Sequence, residues 1–479
     1  MIRRVTIDSY LINATLKAGS LPLKTVRFVL INPASPVWRV QPSERPRAAR
    51  FFRFSMLSSQ YVAAAMPSYV QTRIIDEEVE ALDFNLEADL VGISFMTYNA
   101  PRAYSIADEF RACGTPVIFG GYHPTFLPEE AIQHADAVCI GEAENNLPRM
   151  MEDFCSDRLQ PFYRSSPVNL TGLSLPRREL INKRDYAPLD FLQATRGCNY
   201  QCSYCSVSAF NNQKLRTRPV DEVIDELKML GRHVLFMDDN LTGDRAYALE
   251  LFRLMLPLGK KWYSQAGLGL AFDDELLDLA ARSGCQGLFI GFETLDEAGL
   301  REFKKKPNLG KDYTTAVAKL HGRGIAVCAA FMFGSDEDKP DVFERTLEFL
   351  LDSNIETVQA TRLTPFPGTP LFAALDNQGR IFDKDWSHYD FNHVVFEPRQ
   401  MSRETLDKGV AWVLLQFHTR RAIARRVWSS LHYLEPCFTL AAILPINVGW
   451  RYKLTKDSDY NRGADFSATL GQGLREAHP

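Results

Sequence analysis

Cys198-Asn199-Tyr200-Gln201-Cys202-Ser203-Tyr204-Cys205 is the stretch whose reading decides the fold. Its three thiols, spaced C-x-x-x-C-x-x-C, lie close enough in sequence to grip a single inorganic centre. Soft sulfur ligands hold iron, and three of them without a neighbouring fourth suit a cubane iron–sulfur cluster that keeps one iron open to a substrate. Zinc would want a fourth Cys or His, and the first histidine downstream is His233, which only the fold can bring near. Three buried cysteines in a packed turn are the bland alternative, and the polar residues between them speak against it.

Working outward, Phe191-Leu192-Gln193-Ala194-Thr195 predicts a strand that delivers the loop. Behind Pro219, residues Val220, Val223, Ile224, Leu227 and Leu230 have helical spacing. The unit then repeats: apolar runs at 233–237, 263–268, 286–291, 325–332 and 356–360 alternate with helical patterns near 246–256, 274–283, 313–323 and 339–351. Six βα units over 189–370 are too few for a closed eight-stranded barrel, and they match the open (β/α)6 partial barrel of the superfamily that the cysteine loop resembles. Parallel barrels carry chemistry on the carboxyl ends of their strands. Those positions hold Asp238, Asp239 and Asn240 after the second strand, Gln265 on the third and Glu293 at the end of the fourth. Capping of the next helix is the competing role for Asp238 and Asp239, and pairing with a nearby Lys or Arg is the competing role for Glu293.

Upstream, Val26-Arg27-Phe28-Val29-Leu30-Ile31-Asn32-Pro33 predicts a buried first strand, and similar runs follow at 69–76, 88–94, 116–121 and 137–141, with helical stretches between. This rhythm over 25–155 predicts a doubly wound parallel sheet of about five strands, which binds ligands at the carboxyl ends of its strands. Small and polar residues sit there: Ser94 and Thr97, then Gly120, Gly121 and His123, then Gly141 and Glu142. Residues 1–24 form an N-terminal extension, and 156–188, with four prolines and no periodicity, reads as a linker.

With Tyr204 before its last cysteine, the loop resembles that of the radical SAM superfamily. The resemblance implies a [4Fe-4S] cluster on Cys198, Cys202 and Cys205, and S-adenosyl-L-methionine (SAM) chelated by the open iron and cleaved to a 5′-deoxyadenosyl radical. It also implies SAM contacts from the loop at Asp238-Asp239-Asn240, with Gln265 and Glu293 at ribose height. The Gly-Gly-x-His-Pro-Thr and Gly-Glu-x-Glu stretches extend the likeness to the cobalamin-binding domain of cobalamin-dependent radical SAM enzymes. Cobalamin would then lie between sheet and barrel, near Ser94, Thr97, Gly120, Gly121, His123, Gly141 and Glu142. One departure is the missing D-x-H-x-x-G signature, so histidine ligation of cobalt from this domain is not expected. His123 reads as a turn histidine bonding the backbone in preference to a cobalt ligand.

In the methylating members of that family, one SAM methylates cobalamin and a second yields the radical that activates substrate carbon. The expected function is therefore C-methylation of unactivated carbon in a small hydrophobic metabolite. Alternatives are an oxidative cyclase or a lipid-, hopanoid- or tetrapyrrole-modifying enzyme without methyl transfer, and a non-catalytic cobalamin or metal sensor. The family also implies an electron donor such as flavodoxin or ferredoxin.

At 479 residues the chain is long enough for two or three domains with their own cores, and 46% hydrophobic against 24% charged residues is an enzyme's balance. A formal net charge of −4 gives no electrostatic case for nucleic acid. The six cysteines outside the loop are scattered singly and read as core fillers; with no secretory signal at Met1-Ile2-Arg3-Arg4-Val5, a reducing cytoplasm is expected.

After the barrel, 371–479 reads as a cap followed by helices. Within it, 420–428 carries four arginines, and 437–450 is apolar but short and broken by Pro445, hence no transmembrane helix. A basic stretch followed by an apolar, Trp-containing one suits peripheral contact with a membrane, and a helical hairpin packed on the barrel is the competing reading. The polar tail from Thr455 reads as disordered.

Overall fold

The protein is described by a computed structural model over residues 25–35 and 53–456, with Gly463 and Phe466. The N-terminal extension and nearly all of the tail after Thr455 lie outside the described residues.

Two six-stranded parallel sheets follow one another along the chain. The first comprises β1 (Val26–Asn32), β2 (Val70–Asp76), β3 (Leu90–Ser94), β4 (Val117–Gly120), β5 (Ala137–Ile140) and β6 (Phe162–Arg164), in the order 2-1-3-4-5-6. Its strands are buried on both faces: Val29 and Ile31 of β1 enter one core, Phe28 and Leu30 the other. The helix Ala100–Ala112 covers one face with Ala103, Ile106, Ala107 and Phe110, one helical stripe. Strand order reverses at β1, which β2 and β3 flank, and this opens a crevice at the strands' carboxyl ends. Five strands are expected and six are found, because Phe162–Arg164 pairs with β5 inside the stretch read as linker. A three-residue strand with one buried side chain is too short to show periodicity.

The second sheet has the order β14-β13-β12-β11-β10-β7, all parallel, and its end strands β14 and β7 do not pair, as an open partial barrel requires. Its strands are β7 (Asp190–Leu192), β10 (His233–Phe236), β11 (Lys261–Ala266), β12 (Cys285–Glu293), β13 (Ala326–Phe333) and β14 (Thr357–Arg362). Fully buried Trp262 stacks on Phe252 at 5.0 Å beneath the helix Arg245–Met255, and truncating it would cost about 3–5 kcal/mol. On the opposite side of the strands, Gly287, Phe289 and Gly291 of β12 and Cys328 and Ala330 of β13 stay partly exposed, giving the barrel a small-residue, apolar lumen face.

The stretch 191–195, expected to be one strand, is split. After Leu192 the chain leaves the barrel sheet and forms β8 (Thr195–Gly197), which pairs antiparallel with β9 (Leu215–Thr217). This hairpin carries the cysteine loop.

Beyond the barrel, Ile381 bridges to Phe396 in a cap, and the helix Arg403–Phe417 buries Leu406, Val410, Val413, Leu414 and Phe417 as its spacing predicts. The last helices, Arg420–Ser430 and Leu444–Lys456, close the amino-terminal end of the barrel: Leu434 and Ile443 pack on Ala326, and Asn447 donates to the Glu356 carbonyl at 3.0 Å. Pro445 follows on the π-helical turn Thr439–Ile443, inside a helical run that continues from Pro436. No helix among the described residues is long and apolar enough to cross a membrane. Cys113 and Cys437 are exposed and so do not fill the core; Cys139 and Cys285 do.

Candidate cofactor site

The hairpin turns sharply into the cysteine loop at Gly197, whose φ of 83° and whose approach to the Lys214 carbonyl, 2.3 Å from where a Cβ would stand, admit only glycine. Barrel and cap then staple the loop. Ser203 N–H donates to the Phe303 carbonyl at 3.0 Å, and the Ser203 carbonyl accepts from Leu371 N–H at 2.9 Å. Cys198 and Cys202 are buried and Cys205 is half-buried.

Burial pushes the Cys202 thiol up to about 11 and raises the other two, so these side chains become thiolates when a metal's charge draws them there. Among the described residues no three Cys, His, Asp or Glu side chains converge tightly enough for one metal ion. Three cysteine sulfurs on one short loop are the soft donor set that an iron–sulfur cluster takes.

Asp238 and Asp239 cap no helix; Asp244 takes that role by accepting from Tyr247 N–H. Asp238 is fully buried and accepts from Thr195 N–H at 2.5 Å and Ala194 N–H at 3.1 Å, clasping the break between β7 and β8. Asp239 accepts from Gly197 N–H at 3.1 Å. Burial pushes Asp238 up to about 7 and Asp239 to about 6. Asn240 spans two strands, reaching Cys198 Sγ at 3.8 Å and accepting from Gly267 N–H at 3.1 Å.

Glu293, at φ 70°, pairs with Lys305 Nζ at 2.7 Å, as the competing reading has it, but the pair is buried beside the loop. Burial opposes the Lys305 charge, yet Glu293 and then Cys202 hold its pKa above the usual lysine range. Gln265 is exposed at the carboxyl end of β11. Asp238 and Asp239 thus serve the hairpin's backbone, while Asn240, Glu293 and Gln265 flank the loop or the barrel mouth.

The sheet's edge faces the same hairpin. Glu142 accepts from Arg196 Nη1 at 2.9 Å, from Arg216 Nη1 at 2.7 Å and from Val168 N–H at 2.7 Å; Glu144 accepts from Arg196 Nη2 at 2.6 Å. Burial opposes ionisation of Glu142, but Arg216 and the other donors hold its carboxyl below the usual range. Glu142, expected as a cofactor contact, joins the two domains through two guanidiniums.

Tyr122 packs on Phe210, just past the cysteines, with centroids 4.6 Å apart and the rings tilted by 32°. His123 is fully buried and bonds not to backbone but to the Tyr104 hydroxyl, through Nε2 at 2.9 Å. Ser94 ends β3, and Thr97 is buried in the turn that follows. Gly121, at φ 103°, brings its backbone against Phe95. Beside Gly141 nothing stands within 4 Å of where a Cβ would be, and beside Gly120 the nearest atom is at 3.9 Å, so the edge leaves open backbone for a broad flat ligand.

The residues that sequence reasoning missed are Arg196, Arg216, Lys305 and Tyr122. Arg196 adjoins the motif and offers a faint signal. Lys305 lies in a Lys-Lys-Lys run that reads as a solvated surface.

Comparison with known proteins agrees with this geometry. The radical SAM superfamily matches residues 192–350 and the B12 binding domain matches residues 49–150. The chain is 32% identical over 381 residues to bacteriochlorophyllide d C-12(1)-methyltransferase of Chlorobaculum tepidum, covering 76% of this chain and 83% of that protein. It is 26% identical to the C-8(2)-methyltransferase of the same organism, covering 69% and 78%. Among solved structures, the cobalamin-dependent SAM radical enzyme OxsB, with aqua-cobalamin and SAM bound, superposes with a TM-score of 0.65 at 14% identity, covering 94% of this chain and 75% of that one.

Proposed function

Because the chain belongs to the cobalamin-dependent radical SAM family, we propose that this enzyme is a C-methyltransferase acting on unactivated carbon of a hydrophobic small molecule of the tetrapyrrole class. The observation that carries the reading is the placement of Cys198, Cys202 and Cys205 on a hairpin between the carboxyl edges of two parallel sheets, one a partial barrel and one open beside Gly120 and Gly141. When bound, a [4Fe-4S] cluster with SAM supplies a 5′-deoxyadenosyl radical, and cobalamin supplies the methyl carrier.

The three cysteines would hold the cluster and leave one iron free for SAM. Asn240, Gln265 and the Glu293–Lys305 pair border the space where SAM would lie, with Lys305 offsetting negative charge at the thiolates. Ser94, Thr97, Gly120, Gly121 and Gly141 border the cobalamin space. The lumen side of Phe289, Gly291 and Ala330 is flat and apolar enough for a conjugated ring. The two bacteriochlorophyllide methyltransferases it resembles and the lumen face favour a tetrapyrrole over a polar metabolite; a small flavodoxin- or ferredoxin-type donor would deliver electrons.

The test is anaerobic. The reconstituted protein, given cobalamin, methyl-labelled SAM, a low-potential reductant and a bacteriochlorophyllide, should bind corrinoid, release 5′-deoxyadenosine and carry label into the pigment. Cys202→Ala should lose the cluster and all 5′-deoxyadenosine while still binding corrinoid. Deoxyadenosine without label in product would replace methyl transfer by another radical outcome.

A further inference from the structure

The last two long helices bury one side against the barrel and leave the other uncovered. Between Arg420–Ser430 and Leu444–Lys456 runs an apolar groove of about 740 Å³. Ala424, Val427 and Trp428 line it from one helix, Leu444, Val448 and Tyr452 from the other. Trp428 is 70% exposed and Tyr452 64%, side chains that a water-facing surface seldom leaves so open.

The charged residues that line the groove, Arg420 and Arg451, are both cations. The helix Arg420–Ser430 has four arginines and no carboxylate. Arg426 turns inward to Asn447 and the Phe417 carbonyl, while Arg420, Arg421 and Arg425 point outward and are exposed. Arg425 has only a loose partner, Asp352 at 3.8 Å, itself exposed; Arg420 and Arg421 meet no carboxylate among the described residues. No acidic residue lines the groove. Phe466 is buried against Phe343 and Trp412, neither of which lines the groove.

We propose that this face docks on an anionic lipid bilayer, with Trp428, Val448 and Tyr452 entering the headgroup boundary and Arg420, Arg421 and Arg425 meeting lipid phosphates. Tryptophan and tyrosine suit such a boundary because each joins an apolar body to a polar tip. Arginine forks match phosphate oxygens. Two helices lying side by side present apolar surface flanked by cations, the pattern of a protein that lies on a membrane without crossing it. The proposal is independent of the methyl-transfer reading.

Co-sedimentation of the full chain, cluster-loaded, with phosphatidylcholine vesicles made with and without phosphatidylglycerol tests it. Binding should require phosphatidylglycerol and fall as salt rises. The triple variant Arg420→Gln/Arg421→Gln/Arg425→Gln should lose on the order of a hundredfold in partition, at about one kcal/mol per arginine. Trp428→Ser should weaken binding without abolishing its salt dependence. Both variants should keep the parent's thermal unfolding and 5′-deoxyadenosine yield, which separates a docking defect from misfolding. Equal binding to neutral and anionic vesicles, or none to either, overturns the proposal. So does a concentration-dependent dimer that Trp428→Ser dissolves, which would make a second copy the occupant.

Discussion

Asp238 and Asp239, at the end of a barrel strand, and Glu142 and Glu144, at the end of a strand in the other sheet, hold the same cysteine-bearing hairpin from two domains. The barrel pair meets neutral backbone amides, so burial dominates and both carboxyls are pushed up, to about 7 and about 6. Glu142 meets two guanidiniums, and these outweigh the same burial and keep its carboxyl low. A buried carboxylate beside a cofactor loop thus keeps or loses its charge according to the donors it finds, and its place at a strand end does not reveal which. The inner clasp fixes the hairpin's backbone where it leaves the barrel; the outer one fixes the whole hairpin against the neighbouring domain.

Breaking the outer clasp should have the larger effect. Glu142→Ala leaves Arg196 and Arg216, 12% and 20% exposed, facing a vacated site. Removing one partner of a buried pair costs roughly 3 kcal/mol because the remaining charge stays desolvated. The melting temperature should fall by several degrees, and the stretch 156–188, which runs between the sheets and supplies Val168, should become sensitive to limited proteolysis. An unchanged melting temperature with unchanged cleavage would show that the domains are held by the Tyr122–Phe210 contact and its neighbours, and the two clasps would no longer be comparable.

Much of this architecture was legible because its signals are contiguous. Three cysteines in eight residues and a repeating βα rhythm specify the loop and both sheets, and the strand ends follow from topology. What was not legible was where the strand-end side chains turn. Glu142 looks like a ligand contact in Gly-Glu-x-Glu, but its partners Arg196 and Arg216 lie 54 and 74 residues away, on a hairpin that periodicity reads as one strand and a loop. His123 likewise reads as a turn residue bonding the backbone or as a cofactor contact; its side-chain partner Tyr104 sits on the covering helix, 19 residues earlier. Lys305 is hidden within a basic run whose other members are solvated. In each case the missing information is a long-range side-chain pairing, which no local pattern encodes.

The inner clasp is sharpened by pH. In the folded chain Asp238 keeps its proton up to about pH 7, whereas an ordinary aspartate loses it near 3.8. Between those values the folded state binds the extra proton, so this residue's contribution to stability is full below that window and declines as pH rises through it. Glu142 has the opposite sign: its contribution is present above about 4.5 and is lost as pH falls below that value. Asp238→Asn offers one acceptor where two oxygens face the amides of Ala194 and Thr195, and turns an N–H₂ toward donors. It should cost about 1–3 kcal/mol and flatten the decline between pH 4 and 7, measured by denaturant unfolding across that range. A variant with the parent's slope would mean that Asp238 is ionised throughout, and the contrast between amide and guanidinium donors would fail.

The smallest effect belongs to a third link, from the cap to the sheet. Trp386 Nε1–H donates to Glu130 Oε1 at 2.8 Å, on a carboxylate that also accepts from the Tyr104 hydroxyl at 3.0 Å, and its ring lies 5.5 Å from His123. Glu130 is partly open to solvent, so water can replace a lost donor there, as it cannot at Glu142. Trp386→Phe keeps an aromatic ring in place and removes one hydrogen bond, which sets the cost at about 1 kcal/mol. Amide exchange should then quicken across 381–396, where the cap closes on the Ile381–Phe396 bridge, and stay unchanged in β8 and β9. If exchange in the hairpin quickens as well, the cap is part of what holds the cysteine loop, and the outer clasp must be redrawn to include it. Unchanged hairpin exchange would leave the two acidic runs as the hairpin's own supports and assign the cap to the sheet alone.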